Sequence, residues 1–246
     1  MNDAFGIIVI GDEILNGRRR DRHFEALGGI LRERGFGVAW LRILPDDPDY
    51  LAAELVRTMA EKRPVFCCGG IGATPDDHTR ACAARAAGVP LEPHPDAVAE
   101  IEARFGADAY PNRIRMAELP QGSAIIPNPY NRIPGFSINL HYFMPGFPDM
   151  AHPMAAWVLD THYAAGGHRE QQRAVLVRGV TESSLMDLME QLNEGFPDAK
   201  LFSLPRLGAE FQIEMGFRGH GDLQAPLDAL IAGLEERGVT YDREGD

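Results

Sequence analysis

The sequence predicts an α/β fold: a mainly parallel sheet with helices on both faces, followed by a small α+β domain. Three observations carry that prediction. Short apolar runs alternate with segments of helical periodicity through the first two thirds of the chain. The loops that follow these runs are rich in Gly, Pro and Asp. Past a Gly-rich break at residues 164–167, read as a hinge, the order changes to strand, helix, strand, strand, helix. The expected domains are therefore residues 1–165 and 168–246.

Taken in order, residues 5–10 are almost wholly apolar and read as a buried strand. Phe24, Leu27, Ile30 and Leu31 recur at helical spacing, and Gly35 stops that helix. Residues 38–44 form the second strand, and Leu51, Leu55, Val56 and Met59 mark the second helix. Residues 65–68 are a short third strand ending at Gly69 and Gly70, with a helix expected over 75–87, closed by Gly88 and Pro90. Val98, Ile101 and Phe105 suggest a fourth helix inside an irregular, Pro-containing stretch at 90–136, read as an insertion over one end of the sheet. Residues 124–126 are weakly strand-like, 138–143 read as one strand, and a helix runs on through Trp157. In the second domain, strands are expected at 174–177, 200–204 and 210–217, with helices around Leu188 and Leu230.

Lys plus Arg number 24 against 36 Asp plus Glu, a net charge of −12. Residues 166–246 hold 8 basic and 15 acidic groups, 8 − 15 = −7, so the smaller domain carries more than half of the excess. This balance argues against nucleic-acid polymers, which need a basic stripe to displace counterions, and against anionic membrane surfaces. Met1, Asn2 and Asp3 put no basic region ahead of the first apolar run, which is too short for a signal core or a membrane span. Cys67, Cys68 and Cys82 make neither a disulfide framework nor a zinc motif, and a reducing, cytoplasmic location is expected. Cys67 and Cys68 read as small buried hydrophobes.

In an open parallel sheet, ligands bind beyond the carboxyl ends of the strands. The loops there begin at Gly11-Asp12-Glu13, Pro45-Asp46-Asp47, Gly69-Gly70-Ile71-Gly72 and Pro145-Gly146-Phe147. The third is the most informative. Its glycines permit close backbone approach to a ligand, and Thr74-Pro75 looks like an N-cap followed by a first helical residue, a ready anion site. Thr74, Asp76 and Asp77 fit helix capping as well, but capping does not need the glycines. Acids beside a phosphate cradle repel the ligand unless a hard cation bridges them, so Asp12, Asp46, Asp76 and Asp77 are read together as a Mg²⁺-type site, with Asp46 or Asp77 as general base. The P-loop, the dinucleotide fingerprint, the zinc-protease helix and the nucleophile elbow are all absent. His23, His78, His94, His141 and His152 show no ligand spacing. Arg18, Arg19, Arg20 and Arg22 either steer a phosphorylated ligand or open a solvated helix.

These residues resemble a known family. The run Gly69-Gly70-Ile71-Gly72-Ala73-Thr74-Pro75-Asp76-Asp77-His78-Thr79 is similar to the G-G-x-G-P-T-x-D-D-x-T signature of the molybdopterin-binding domain shared by MogA, MoaB and the N-terminal part of CinA. Gly11-Asp12-Glu13-Ile14-Leu15 with Gly17 resembles the opening motif of the CinA branch. Pro145-Gly146-Phe147-Pro148 with Met150 resembles its Pro-Gly-x-Pro segment, and residues 128–136 its Asn-Pro…Pro-Gly-Phe stretch. The resemblance covers residues 4–160, and residues 172–240 look like the small α+β domain that follows in CinA. With no counterpart of the C-terminal amidohydrolase domain in this sequence, it looks like the stand-alone CinA type.

The resemblance implies a divalent-metal-dependent pyrophosphatase acting on ADP-ribose or a related dinucleotide. The MogA branch implies instead molybdopterin binding and adenylylation in cofactor biosynthesis, and a non-catalytic nucleotide- or pterin-binding module is the third possibility. Carried over by position, Asp46 and Asp77 match the acidic active-site positions, and Gly69, Gly70, Gly72 and Thr74 match the phosphate loop, with Gly11 and Gly146 on the facing loops. A homo-oligomer, dimer or trimer, is implied too. Three departures bear on substrate choice: Ala73 replaces Pro, Cys67-Cys68 replaces Thr-Thr, and Arg132-Ile133 stands where small residues are usual.

Overall fold

The computed structural model describes residues 4–168, 170–206 and 211–243. Met1, Asn2 and Asp3 and the expected strand start at Glu210 lie outside the described residues. The chain divides into two compact units, with the change at Gly167/His168.

The first unit contains, in order, β1 (Ala4–Ile10), α1 (Asp12–Leu15), α2 (His23–Glu33), β2 (Gly37–Leu44), α3 (Pro48–Ala60), β3 (Val65–Cys68) and α4 (Thr79–Ala87). Then come β4 (Leu91–Pro93), α5 (Pro95–Phe105), two 3₁₀ turns, β5 (Glu118–Pro120), β6 (Ala124–Ile126), β7 (Gly135–Ile138), β8 (His141–Met144) and α6 (Pro148–His162). The main sheet has the order β2-β1-β3-β8-β7-β6. The first four strands are parallel to one another, and β7 and β6 add an antiparallel edge.

Strand periodicity divides the core between the two faces. Ile8, Ile10, Val65, Cys67 and Phe143 face α3, α4 and α5. Phe5, Ile7, Val9, Phe66, Cys68 and Met144 face α2 and α6. Cys67 and Cys68 are fully buried in opposite faces, and burial pushes both thiols up, so they are inert packing residues. The stretch at 90–136 does more than cover one end. Ala97, Ile101, Ala109, Ala117 and Leu119 belong to the core of the α3/α4 face.

Two expectations need correction in this unit. The single strand at 138–143 is a hairpin, β7 and β8, because Asn139 and Leu140 adopt φ of 49° and 63° and reverse the chain. The expected helix over 75–87 starts four residues late, at Thr79. Its first residues are instead held as a loop, with Asp77 turned back onto Thr74. The expected hinge glycines are docked on this unit: Gly167 N–H donates to the Arg34 carbonyl at 3.0 Å, and a Cβ at Gly167 would lie 2.3 Å from the Gly35 oxygen.

The second unit contains β9 (Gln171–Arg178), a 3₁₀ turn, α7 (Met186–Gly195), β10 (Lys200–Arg206), β11 (Gln212–Gly219), α8 (Gln224–Glu236) and β12 (Thr240–Arg243). Its sheet, β10-β11-β9-β12, is antiparallel throughout. This is the βαββαβ order of a ferredoxin-like layer, with one core that includes Val177, Leu188, Phe217 and Leu230. The last strand, β12, was not expected.

Candidate functional site

The chain leaves β1 for β2 on one side and reaches β3 on the other, so the strand order reverses at β1. A crevice is expected there, beyond the strands' carboxyl ends. A cleft of about 470 Å³ lies at that point, lined by Ile10 and Gly11 after β1, Asp46 after β2, residues 69–74 with Asp76 and Asp77 after β3, and residues 145–147 after β8. Its outer wall is apolar: Met116, Ile133, Phe147 and Met150.

Packing requires glycine at Gly69 and Gly70. Gly69 has a φ of +117°, and a Cβ would sit 2.2 Å from the Ile10 carbonyl oxygen. Gly70, at φ +66°, would place a Cβ 2.3 Å from Thr79 Oγ1. Gly146 lies against Gly69, and a Cβ there would meet the Gly69 Cα at 3.4 Å, an ordinary contact. The loop is pinned from behind: Thr79 N–H donates to the Gly70 carbonyl, and its hydroxyl to the Gly69 carbonyl, both at 3.0 Å. Gly69 N–H closes onto the Met144 carbonyl. Among the described residues, none of these hydrogen bonds uses the N–H groups of Gly70, Ile71, Gly72 or Ala73.

Asp12 and Asp46 lock the first two loops to each other. Asp12 N–H donates to Asp46 Oδ2 at 2.9 Å, and Asp46 N–H donates to Asp12 Oδ1 at 3.3 Å. Burial, and then the nearby negative charges of Asp12, Glu13 and Asp76, hold the Asp46 carboxyl above its ordinary value against the lowering effect of the Asp12 N–H. Asp77 accepts the Thr74 N–H at 2.9 Å and the Thr74 hydroxyl. Thr74 is therefore not the helix N-cap; His78 occupies that position. Asp76 is exposed, and the polar field of the neighbouring Thr74 hydroxyl, then of its own backbone, holds its carboxyl low.

The cleft brings together Gly11, Asp46, Gly69, Gly70, Gly72, Thr74, Asp76, Asp77 and Gly146. Asp12 does not line it; it braces Asp46. Among the described residues, no three His, Cys, Asp or Glu side chains converge closely enough to hold a metal ion by themselves. The four acids are thus not a preformed protein cage. Arg18, Arg19 and Arg20 lie in the loop before α2, Arg22 is the N-cap that opens that helix, and Arg19 lines the cleft 3.9 Å from Glu13.

Sequence reasoning missed Asn131 and Met116 as wall residues, whereas Ile133, singled out with Arg132 as a departure, does line the cleft. Asn131 is held in place: its side-chain oxygen accepts from Asn128 at 2.8 Å and from Ile133 N–H at 3.0 Å. Behind the cleft, His23 Nε2 lies 3.2 Å from the Gly146 carbonyl, and burial lowers its pKa.

A family model described as "probable molybdopterin binding domain" matches residues 6–163. The chain belongs to this family. Among curated relatives, a CinA-like protein of Citrifermentans bemidjiense is 32% identical over 203 residues, covering 78% of this chain and 48% of the relative. A CinA-like protein of Synechococcus is 27% identical over 246 residues, covering 94% of this chain and 57% of the relative. The chain thus spans about half the length of these relatives. A crystal structure of the protein CinA from Thermoplasma acidophilum, described as of unknown function, superposes with a TM-score of 0.58 at 29% identity, covering 63% of this chain and 96% of that one. Among the described residues, no helix is long and apolar enough to cross a membrane.

Proposed function

We propose that this chain is a divalent-cation-dependent pyrophosphatase acting on ADP-ribose or a related dinucleotide. The observation that carries the reading is a glycine loop with unused N–H groups lining one cleft with a half-buried, charge-crowded Asp46. Unused N–H groups suit phosphate oxygens. The crowding of acids around Asp46 suits a cation, and the donor chemistry fits a hard one. Mg²⁺ takes one or two carboxylates and completes its shell with substrate phosphates and water, so fewer than three converging side chains suffice. Asp46 and Asp76, which both line the cleft, would hold it. When bound, such an ion polarises phosphoryl oxygens and makes water more acidic at neutral pH.

The chain's own residues supply the rest. The N–H groups of residues 70–73 bind the diphosphate, and Arg19 at the mouth offsets part of the acidic field. Met116, Ile133 and Met150 exclude water from one side and give a planar base an apolar face. The carboxyl of Asp46 accepts the proton from attacking water. Asp77 closes the turn at Thr74 and so shapes the loop that holds phosphate. The test is hydrolysis of ADP-ribose and FAD with Mg²⁺, Co²⁺ or EDTA. Turnover that needs metal and is lost in Asp46→Asn supports the reading; no turnover with any metal refutes it.

The family match favours a second reading, a pterin in the same cleft, bound or adenylylated. Retention of molybdopterin by the purified chain, or complementation of a strain lacking the adenylylation step, would support it over hydrolysis.

A further inference from the structure

Arg80 stands where local physics disfavours a cation. It is the second residue of α4, at the positive end of the helix dipole. It is only 7% exposed, and burial lowers its pKa against the more distant pull of Glu118 and Asp77. Among the described residues it has no carboxylate within ion-pair distance. Its Nη1 donates to the carbonyls of Arg115 and Glu118, the latter at 3.0 Å, and its Nη2 to the Gly72 carbonyl at 2.8 Å. Its Nε is buried with no hydrogen-bond partner among the described residues. Carbonyl dipoles satisfy hydrogen-bond donors but leave the charge uncancelled, and a buried, uncancelled charge is costly.

The Gly72 contact has a directional consequence. In a trans peptide the C=O and the following N–H point opposite ways. With the Gly72 carbonyl drawn back onto Arg80, the Ala73 N–H points away from Arg80, and Ala73 lines the cleft. That N–H has no acceptor among the described residues. A cation on the carbonyl also polarises the peptide and strengthens its donor end.

We infer that Arg80 is a positioning residue for the ligand's phosphate: from behind the glycine loop it aims and polarises the Ala73 N–H and supplies the buried countercharge. The inference rests on the reading that this cleft takes a phosphate-bearing ligand, and it does not depend on hydrolysis. It also assigns a role to the insertion, since Arg115 and Glu118 complete the socket that holds the guanidinium.

The experiment uses the full chain and inorganic pyrophosphate with Mg²⁺. Binding is measured by calorimetry, and the Ala73 amide resonance is followed by NMR, for wild type, Arg80→Gln and Arg80→Lys. Loss of a charge-assisted contact should weaken pyrophosphate binding about tenfold or more in Arg80→Gln. The Ala73 shift on adding pyrophosphate should shrink in the same variant, with partial rescue of both in Arg80→Lys. If Arg80→Gln does not fold, the lysine variant decides alone: binding within about threefold of wild type supports the charge role, and complete loss overturns it. Unchanged binding and an unchanged Ala73 shift in Arg80→Gln would also overturn the inference, as would a wild type that binds no pyrophosphate. A wild type that binds pyrophosphate yet hydrolyses nothing supports this role while removing the hydrolase reading.

Discussion

The two units are built from similar strands and helices, yet only the first gathers its loops at one place. Its four parallel strands deliver Gly11, Asp46, Gly69 and Gly146 to a single edge of the sheet. In the second unit every hydrogen-bonded strand pair is antiparallel, so the carboxyl ends of β9 and β10 lie at one edge and those of β11 and β12 at the other. The cores differ in the same sense. The first sheet is buried on both faces, and the second unit has a single core. The family match follows this division, ending at residue 163. Strand direction, more than composition, decides where this chain can build a site.

The largest expected effect sharpens that contrast. Asp46→Asn keeps an oxygen to accept the Asp12 N–H but loses the charge and the proton acceptor. Hydrolysis should fall about 10²- to 10⁴-fold, measured at saturating metal and substrate. A smaller loss than tenfold would remove Asp46 from the chemistry.

Next are two glycine substitutions of similar size in different units. In Gly69→Ala the new methyl meets the Ile10 carbonyl at a positive φ, and in Gly216→Ala it would sit 2.0 Å from the Arg173 carbonyl oxygen. Each should cost about 1–3 kcal/mol or more. Hydrogen exchange should show lost protection in the substituted unit. Hydrolysis should fall only in Gly69→Ala; equal loss in Gly216→Ala would break the assignment of function to the first unit.

A pH effect should be confined to the first unit as well. His141 is fully buried between the Thr58 hydroxyl at 2.9 Å and the Asn139 carbonyl at 3.0 Å, and burial drops its pKa from 6.5 to about 4. Between those values the unfolded chain binds more protons, so stability present above 6.5 is lost as the pH falls towards 4. Burial of His23 and His152 adds in the same direction. Amide exchange at several pH values should show this trend in β3 and β8 and a flatter one in β9 and β11. The smallest effect is opposite in sign to the loss of activity. A raised Asp46 pKa means its charge opposes folding above that pKa, so Asp46→Asn should raise the midpoint of thermal unfolding slightly at neutral pH without metal, solvent screening keeping the effect small. A lower midpoint would mean that the charge stabilises the fold.

Much of the first unit was legible because its strands obey simple rules. Residues 65–68 were read as a buried strand, and the structure has β3 over the same residues. Legibility failed where a local pattern imitated another. Thr74-Pro75 has the letters of a helix start, but Asp77 takes the Thr74 donors and delays α4 to Thr79. The β7–β8 hairpin turns at Asn139 and Leu140, and a leucine at positive φ carries no turn signal. The edge strand β12 is four residues long and mostly exposed, so it lacks alternation. In the site, the glycine loop and Asp46 were visible as motifs. Arg80 was not, because an arginine in a helix reads as solvent-facing until its carbonyl partners, up to 38 residues away, are known.

Amide hydrogen exchange of the full chain, with and without ADP-ribose plus Mg²⁺, tests the central claim most directly. The account predicts new protection at the N–H groups of residues 70–73, with β9 to β12 unchanged. Protection confined to residues 171–243, or none at the glycine loop, would contradict it.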